Sequence, residues 1–300
     1  MSTLTTANTD AQGNADAKPL VLDIPLIAFA VIAIGLFIAI SFRLLEWWYW
    51  EWTKPESFYG HAFFVPVLAG VMFWHLRDKL AAVPKERSYS ALLLFLPAVA
   101  MLVVANHRAL LSLSSPLFIF ALITGVAFVV GWKFVRVAAF PFLFLTLMLP
   151  LPGTLLNDLT LGIQGASTAG ATKILNTIGI HSLRQGNIIS MDNYVMNVAT
   201  ACSGFNLLLR LLTFSAAFAY LTDGPALRRI GLFLFSLPLS VAINAIRIAM
   251  IGVVGECLGS TAASTFHDYS GLLSLVLCMF VLFSVAKWMG CRTFAGQPIF

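Results

Sequence analysis

Cys202, Arg247 and His267 are side chains with reactive or charged chemistry set in a sequence dominated by Leu, Phe, Ala and Val. Cys202 opens the polar part of ACSGFNLLLR (201–210), Arg247 lies in SVAINAIRIAMIG, and His267 lies in STFHDYSG. A thiol becomes a strong nucleophile as the thiolate, a form that nearby His or Arg cations favour. Histidine can take the thiol proton and later return it to a leaving amine. Arginine can hydrogen-bond the oxyanion of a tetrahedral intermediate, where a low dielectric magnifies the effect. Together the three types point to acyl transfer. Singly, each has a plainer reading: Cys202 as part of a packing motif, Arg247 satisfied by Asn244 and backbone carbonyls, His267 as a solvated loop residue. Asp268 either orients His267 or is an exposed loop charge.

The solvent around these groups is lipid. Of 300 residues, 59% are hydrophobic and 10% charged, and the mean hydropathy is +0.90, far more apolar than a soluble domain of this length. Apolar windows long enough to span, about 20 residues each, fall near 23–44, 59–76, 90–106, 110–131, 134–151, 200–222, 230–255 and 269–289. The expected fold is therefore all-α, a polytopic membrane bundle of about eight transmembrane helices. Residues 1–19 are polar and lack aromatics, which predicts a disordered cytoplasmic tail, and 20–300 reads as a single transmembrane domain.

Basic residues near span ends stay on the cytoplasmic side. With the tail inside, Lys18, Arg77, Lys79, Lys85, Arg87, Lys133, Arg136, Arg228, Arg229, Lys287 and Arg292 are inner, against Arg43, Lys54, Arg108, Lys173 and Arg184 outside. Both termini are expected in the cytoplasm, with Cys202, Arg247 and His267 all facing outward. The net charge of +5 is scattered over short loops and forms no stripe for nucleic acid. The cysteines at 202, 257, 278 and 291 show no CxxC spacing and no partnering His cluster, so no metal site and no cofactor is expected. Cys202 and Cys257 both map to the outer face, where an oxidising compartment could join them.

Two outer elements precede Cys202. GTLLNDLTLGIQGASTAGATKILNTIGI (153–180) places apolar residues at 155, 156, 159, 163, 174, 175 and 178, the spacing of an amphipathic interfacial helix that starts near Asn157 and Asp158 and ends near Gly179. Asn187 to Met191 and Tyr194 to Val198 read as strands of a short β-hairpin turning at Asp192 and Asn193. Beyond it Cys202, Asn206 and Arg210 recur every four residues, which puts them on one face of a helix. Asn244 and Arg247 share a face of the next span, about 12 Å below its outer end near Gly255. Ionisable groups inside spans are expensive and mark functional sites by default.

In order along the chain, FYGHAFFVP (58–66), FPFLFLTLMLPLP (140–152), ACSG (201–204), NAIRI (244–248) and FHDYSG (266–271) resemble the exosortase/archaeosortase family, in its bacterial exosortase branch. The resemblance implies a membrane-embedded cysteine peptidase or transpeptidase acting through a thioester on proteins with a C-terminal sorting signal of the PEP-CTERM kind. Such a signal is a short motif, a transmembrane helix and a basic tail. It further implies Cys202 as nucleophile with Arg247 and His267 as its catalytic partners, and the bacterial cytoplasmic (inner) membrane as the location. Partners would be signal-bearing proteins, the lipid bilayer and an acceptor nucleophile. Where relatives often carry arginine after the ACSG core this chain has Asn206, with arginine only at 210. His61 reads as a positioning or structural group of the second span. Two rival classes stay open from the residues alone: an anion transporter lined by Arg210 and Arg247, and a non-catalytic assembly factor in polysaccharide export.

Overall fold

The computed structural model describes residues 24–55, 57–198, 204–291, 293–294 and 297–298, with side-chain environments from residue 31. Cys202 and the 1–19 tail lie outside the described residues. The helices are α1 (Ile24–Thr53), α2 (Phe64–His75), α3 (Arg77–Ala81), α4 (Tyr89–His107), α5 (Leu111–Val130), α6 (Trp132–Val137), α7 (Ala139–Phe144), α8 (Gly153–Thr177), α9 (Phe205–Leu221), α10 (Ala226–Leu258) and α11 (Ser260–Trp288). A three-stranded antiparallel sheet, β1 (Ser182–Gln185), β2 (Ile188–Met191) and β3 (Val195–Asn197), sits between α8 and α9. The chain divides into two compact units, 1–42 and 43–300; the described part of the first is the opening of α1, and everything below concerns the second.

The all-α polytopic class is as expected, but the span count is corrected. Among the described residues, five helices are long and apolar enough to cross a membrane: Val31–Thr53 of α1, α4, α5, α10 and α11. A sixth is reached only if α7 with its trailing 3-10 turn, bent by 85° against α8, counts as one span. The expected span at 59–76 forms only the 12-residue α2, and that at 200–222 only the 17-residue α9. Hydropathy marks which residues avoid water; it does not mark where the backbone breaks, and here turns shorten both helices.

Small residues let the helices approach closely, as lipid-embedded bundles require. Ala91, Ala98 and Ala105 of α4 and Ser114, Ser115, Ala121 and Ala127 of α5 are all buried. Ser114 and Ser115 bond back to Leu110 O and Leu111 O, at 3.2 and 3.0 Å, so their hydroxyls are not orphaned. Ser115 Oγ also accepts from the indole of buried Trp48 at 2.8 Å.

The basic residues read as inner gather at one end. Arg228, opening α10, donates to Met289 O at the close of α11 (2.9 Å), and Arg229 donates to Ala219 O and Tyr220 O at the close of α9. Lys133 of α6 pairs with Glu86 of the α3–α4 loop at 3.8 Å, and Leu76, Leu80, Ala91 and Val135 form a shared core against Tyr220. The opposite end carries the sheet and α8.

The sheet corrects the two-stranded expectation. The turn at Asp192 and Asn193 is where it was predicted, closed by Met191 N donating to Tyr194 O at 2.9 Å, and β1 adds a third strand to it. Asn176 stitches β1 to α8: its Nδ2 donates to Ser182 O (3.1 Å) and its Oδ1 accepts from Ser182 N (3.0 Å).

Helix α8 forms as predicted, starting four residues early, and packs on the bundle by a mainly polar stripe. Its buried stripe is Thr160, Gln164, Ser167, Thr168, Ala171 and Leu175, packed on α10, whereas Leu155, Leu159 and Ile178 are exposed. In lipid an apolar face has no reason to turn inward, and small polar residues that satisfy each other pack as well as aliphatic ones. Thr168 and Thr172 do this by donating to Gln164 O and Thr168 O, at 2.7 and 2.9 Å.

Candidate active site

Two apolar cores are stacked along α10. One joins α9, α10 and α11 through Leu207, Leu211, Leu239, Ile243, Cys278 and Leu282. The other joins α8, the sheet, α10 and α11 through Leu175, Ile189, Met196, Ile248, Ile251 and Ala263. Asn244 and Arg247 fall at the junction, so the sequence of α10 inserts its polar groups where one core ends and the next begins. Eleven residues separate Arg247 from Leu258, the end of α10, or about 16 Å of helix; α10 continues past Gly255, so the arginine lies deeper than the sequence implied.

Arg247 and His267 are brought together. Arg247 Nε donates to Ser270 Oγ at 2.9 Å, and its Nη2 donates to His267 O at 3.3 Å. Ser270, almost fully buried, in turn donates to His267 O at 2.9 Å. One guanidinium edge is therefore held by α11, and the side chain is aimed without any carboxylate partner among these contacts. Ser270 is a site residue that sequence reasoning passed over, although it stood in FHDYSG one helical turn after His267.

His267 and Asp268 are not on a loop. They sit in the third turn of α11, which is separated from α10 by Gly259 alone. A polar run reads as a loop because Ser and Thr compete with the backbone for hydrogen bonds, yet in a helix the same groups can bond back to carbonyls three or four residues earlier. Thr265 donates to Thr261 O (3.1 Å) and Ser274 to Ser270 O (2.7 Å) in this way. His267 Nδ1 lies 3.2 Å from Asp268 Oδ1. With the proton on Nδ1 donated to that carboxylate, Nε2 keeps its lone pair as a base. The Asp268 side chain is 72% exposed and orients the ring through this one contact.

A cavity of about 200 Å3 opens beside His267, walled by Tyr194, Met196 and Val198 from the sheet, Ile248 and Ile251 from α10, and Ala263 and Ser264 from α11. Its lining is mainly apolar with few polar groups, the usual make-up of a pocket that grips a side chain. In the processing reaction proposed below, filling it is expected to weaken capture of the polypeptide. Ala263→Leu is expected to raise KM for a processed substrate about tenfold with kcat within about twofold, a loss of roughly 1.4 kcal/mol of binding. Steady-state kinetics in detergent, beside a thermal melt showing the variant folded, would check it; an unchanged KM would remove the cavity from the site.

The chain flanking Cys202 is anchored on both sides of this region. On one side Gln164 of α8 donates its Nε2 to Val198 O. On the other, Gly204 holds a left-handed conformation (φ +82°) and lies so close to Asn244 that a Cβ would stand 2.6 Å from its Nδ2. The hairpin tip is latched as well: Asn193 N and Nδ2 donate to the Glu256 carboxylate (3.0 and 2.7 Å), and Tyr194 covers Gly255, where no side chain could fit. Gln164 and Glu256 carried no signal in a single sequence, and Asn193 was read only as a turn residue, because their partners lie far away along the chain.

Among the other expected residues, Asn244 is buried against Gly204, one turn from Arg247. Arg210, half-buried on α9, feels the charge of Arg247, and His61 feels that of Arg210. Asn206 is half-buried one turn from Arg210. His61 precedes α2 in a turn, is buried, and points Nε2 at Leu147 O, 3.4 Å away. Leu151 N donates to the Tyr59 hydroxyl at 2.8 Å, and Phe58 meets Phe205 edge-on at 5.5 Å. The segments FYGHAFFVP and FPFLFLTLMLPLP thus bind each other and brace the start of α9. Cys257 is exposed, and it is unpaired among the described cysteines; its expected candidate partner Cys202 lies outside the described residues.

Fold and site define a polytopic helical membrane protein with a cationic polar centre between two apolar cores, fenced by a small sheet. The chain belongs to the transmembrane exosortase family, whose profile matches residues 47–284 and so takes in the segments from 58 to 271 discussed above. No curated protein and no solved structure matches it.

Proposed function

We propose that this protein is a membrane-embedded cysteine peptidase or transpeptidase that removes C-terminal sorting signals of the PEP-CTERM type from exported proteins. The observation that carries the reading is the fixing of Arg247 to Ser270 and the His267 carbonyl beside the anchored ends of the segment that contains Cys202. Cys202 is two residues from Gly204, so at most about 7 Å of extended backbone separates them.

In this mechanism His267 Nε2 takes the Cys202 thiol proton, and the thiolate attacks the scissile carbonyl to form a C–S bond. The remaining donors of Arg247 stabilise the oxyanion. Collapse breaks the C–N bond, the His267 proton goes to the departing amine, and the helix and basic tail leave. The acyl group stays on sulfur as a thioester. An acceptor nucleophile then gives its proton to His267, attacks the thioester and releases the Cys202 thiolate. Water gives hydrolysis, and an amine or hydroxyl gives transfer. No step calls for a cofactor.

In the same reading the chain lies in the bacterial cytoplasmic membrane with both termini inside and the site outward. The clustering of Arg228, Arg229, Lys133 and the α2–α3 junction at the end away from the sheet supports that orientation. Mass spectrometry of a co-expressed signal-bearing protein tests the function. A truncated substrate with a new C-terminus, and a trapped adduct on Cys202, are expected. An intact substrate in membranes that contain folded enzyme would refute it.

A further inference from the structure

Arg210 sits in the second turn of α9 with its guanidinium half withdrawn from solvent. Among the described residues it has neither a hydrogen bond nor an ion pair, and the charge that acts on it, from Arg247, is of its own sign. Its own charge acts on the buried imidazole of His61. A guanidinium in that setting carries a desolvation cost and a repulsion with no compensation from the protein. One turn away on the same helix Asn206 keeps a buried Oδ1 without a hydrogen bond among the described residues. Oxygen and nitrogen of an amide exchange places by a half-turn, so Asn206 offers either an acceptor or a second donor there. Arg210 and Asn206 are thus a polar pair built into an apolar helix and left open.

We propose that Arg210, with Asn206 beside it, is the binding site for a carboxylate carried by the polypeptide substrate, an inference that rests on the processing function proposed above. The planar guanidinium fork matches a carboxylate through two parallel hydrogen bonds. An anion there also relieves the repulsion between Arg210 and Arg247. Extended peptide advances about 3.3 Å per residue, so an acidic residue within a few positions of a carbonyl held at Arg247 reaches Arg210. A lipid phosphate offers the same charge, but Arg210 acts on the buried His61 and is acted on by Arg247, which is tied to Ser270 of α11 within the helix packing.

The test is binding and turnover measured on both sides of the contact. Full-length enzyme and its Arg210→Gln and Arg210→Lys variants are reconstituted in nanodiscs. They are given a signal-bearing protein whose acidic residues ahead of its helix are intact or replaced one at a time by the amide. Cys202→Ala supplies a non-cleaving background for Kd. One amide replacement and Arg210→Gln are each expected to weaken binding about 10- to 100-fold, the range of a charged hydrogen bond. Combined, they should lose little more than either alone, and Arg210→Lys should recover part of the loss. Equal losses by Arg210→Gln for acid and amide substrates would overturn the site. So would a loss that appears only with phosphatidylglycerol in the disc and vanishes in pure phosphatidylcholine, which would assign Arg210 to lipid. If Arg210→Gln fails to fold, the amide substrates against wild type and Arg210→Lys still decide. Carboxylate-dependent binding without cleavage by wild type would sink the processing function and leave the carboxylate site standing.

Discussion

Arg247→Lys is expected to lower kcat for signal processing by about 100- to 1,000-fold, or roughly 3–4 kcal/mol of transition-state stabilisation, with KM changed far less. The guanidinium is oriented from one side only: Nε is committed to Ser270 Oγ and Nη2 to His267 O. Lysine keeps the charge but not the fork, and its flexible ammonium cannot bond both of those acceptors while also facing an oxyanion. The effect separates catalysis from folding through a second variant. Ser270→Ala removes the Nε acceptor and leaves the guanidinium itself, so it should cost less, about tenfold, by loosening the aim of Arg247. A rate within tenfold of wild type for folded Arg247→Lys would show that the arginine serves only to join α10 to α11.

What sequence could reveal followed from solvent. In an apolar chain Arg247 stands out because a charge is costly in lipid, whereas Cys202 and His267 were singled out by the reactive chemistry of their side chains. The pairing of Arg247 with the His267 segment follows from two long helices joined at Gly259, where the sequence had predicted a loop. Features that depend on the backbone were hidden. His267 was read as a loop residue because STFHDYSG is polar, but its hydroxyls bond back along α11. Periodicity showed that α8 has two unlike faces, but not that its small polar residues would pack on α10. Strand β1 was missed because Ser182–Gln185 has no β-branched residue and is exposed except at Ser182; it is a strand by its pairing with β2. The braces that hold the site, Gln164 to Val198 and Glu256 to Asn193, join residues far apart in the chain and leave no local pattern.

Gly204→Ala is expected to remove most active protein, and its two causes can be separated. At φ +82° an alanine meets the steric cost of the left-handed region, about 1–2 kcal/mol. Its Cβ would also stand 2.6 Å from Nδ2 and 2.7 Å from Cγ of Asn244, an overpacking that costs about 1–3 kcal/mol more. Asn244 is fully buried on α10, one turn from Arg247, so it has nowhere to retreat without moving the arginine. Shortening that neighbour tests the division: Asn244→Ser in the Gly204→Ala background should restore part of the melting temperature by removing the clash. The backbone cost would remain. Processing should not return with the melting temperature if Gly204 also sets the course of the chain two residues after Cys202. A Gly204→Ala protein that melts and processes like wild type would mean that neither the left-handed turn nor the Asn244 contact holds this end of the site.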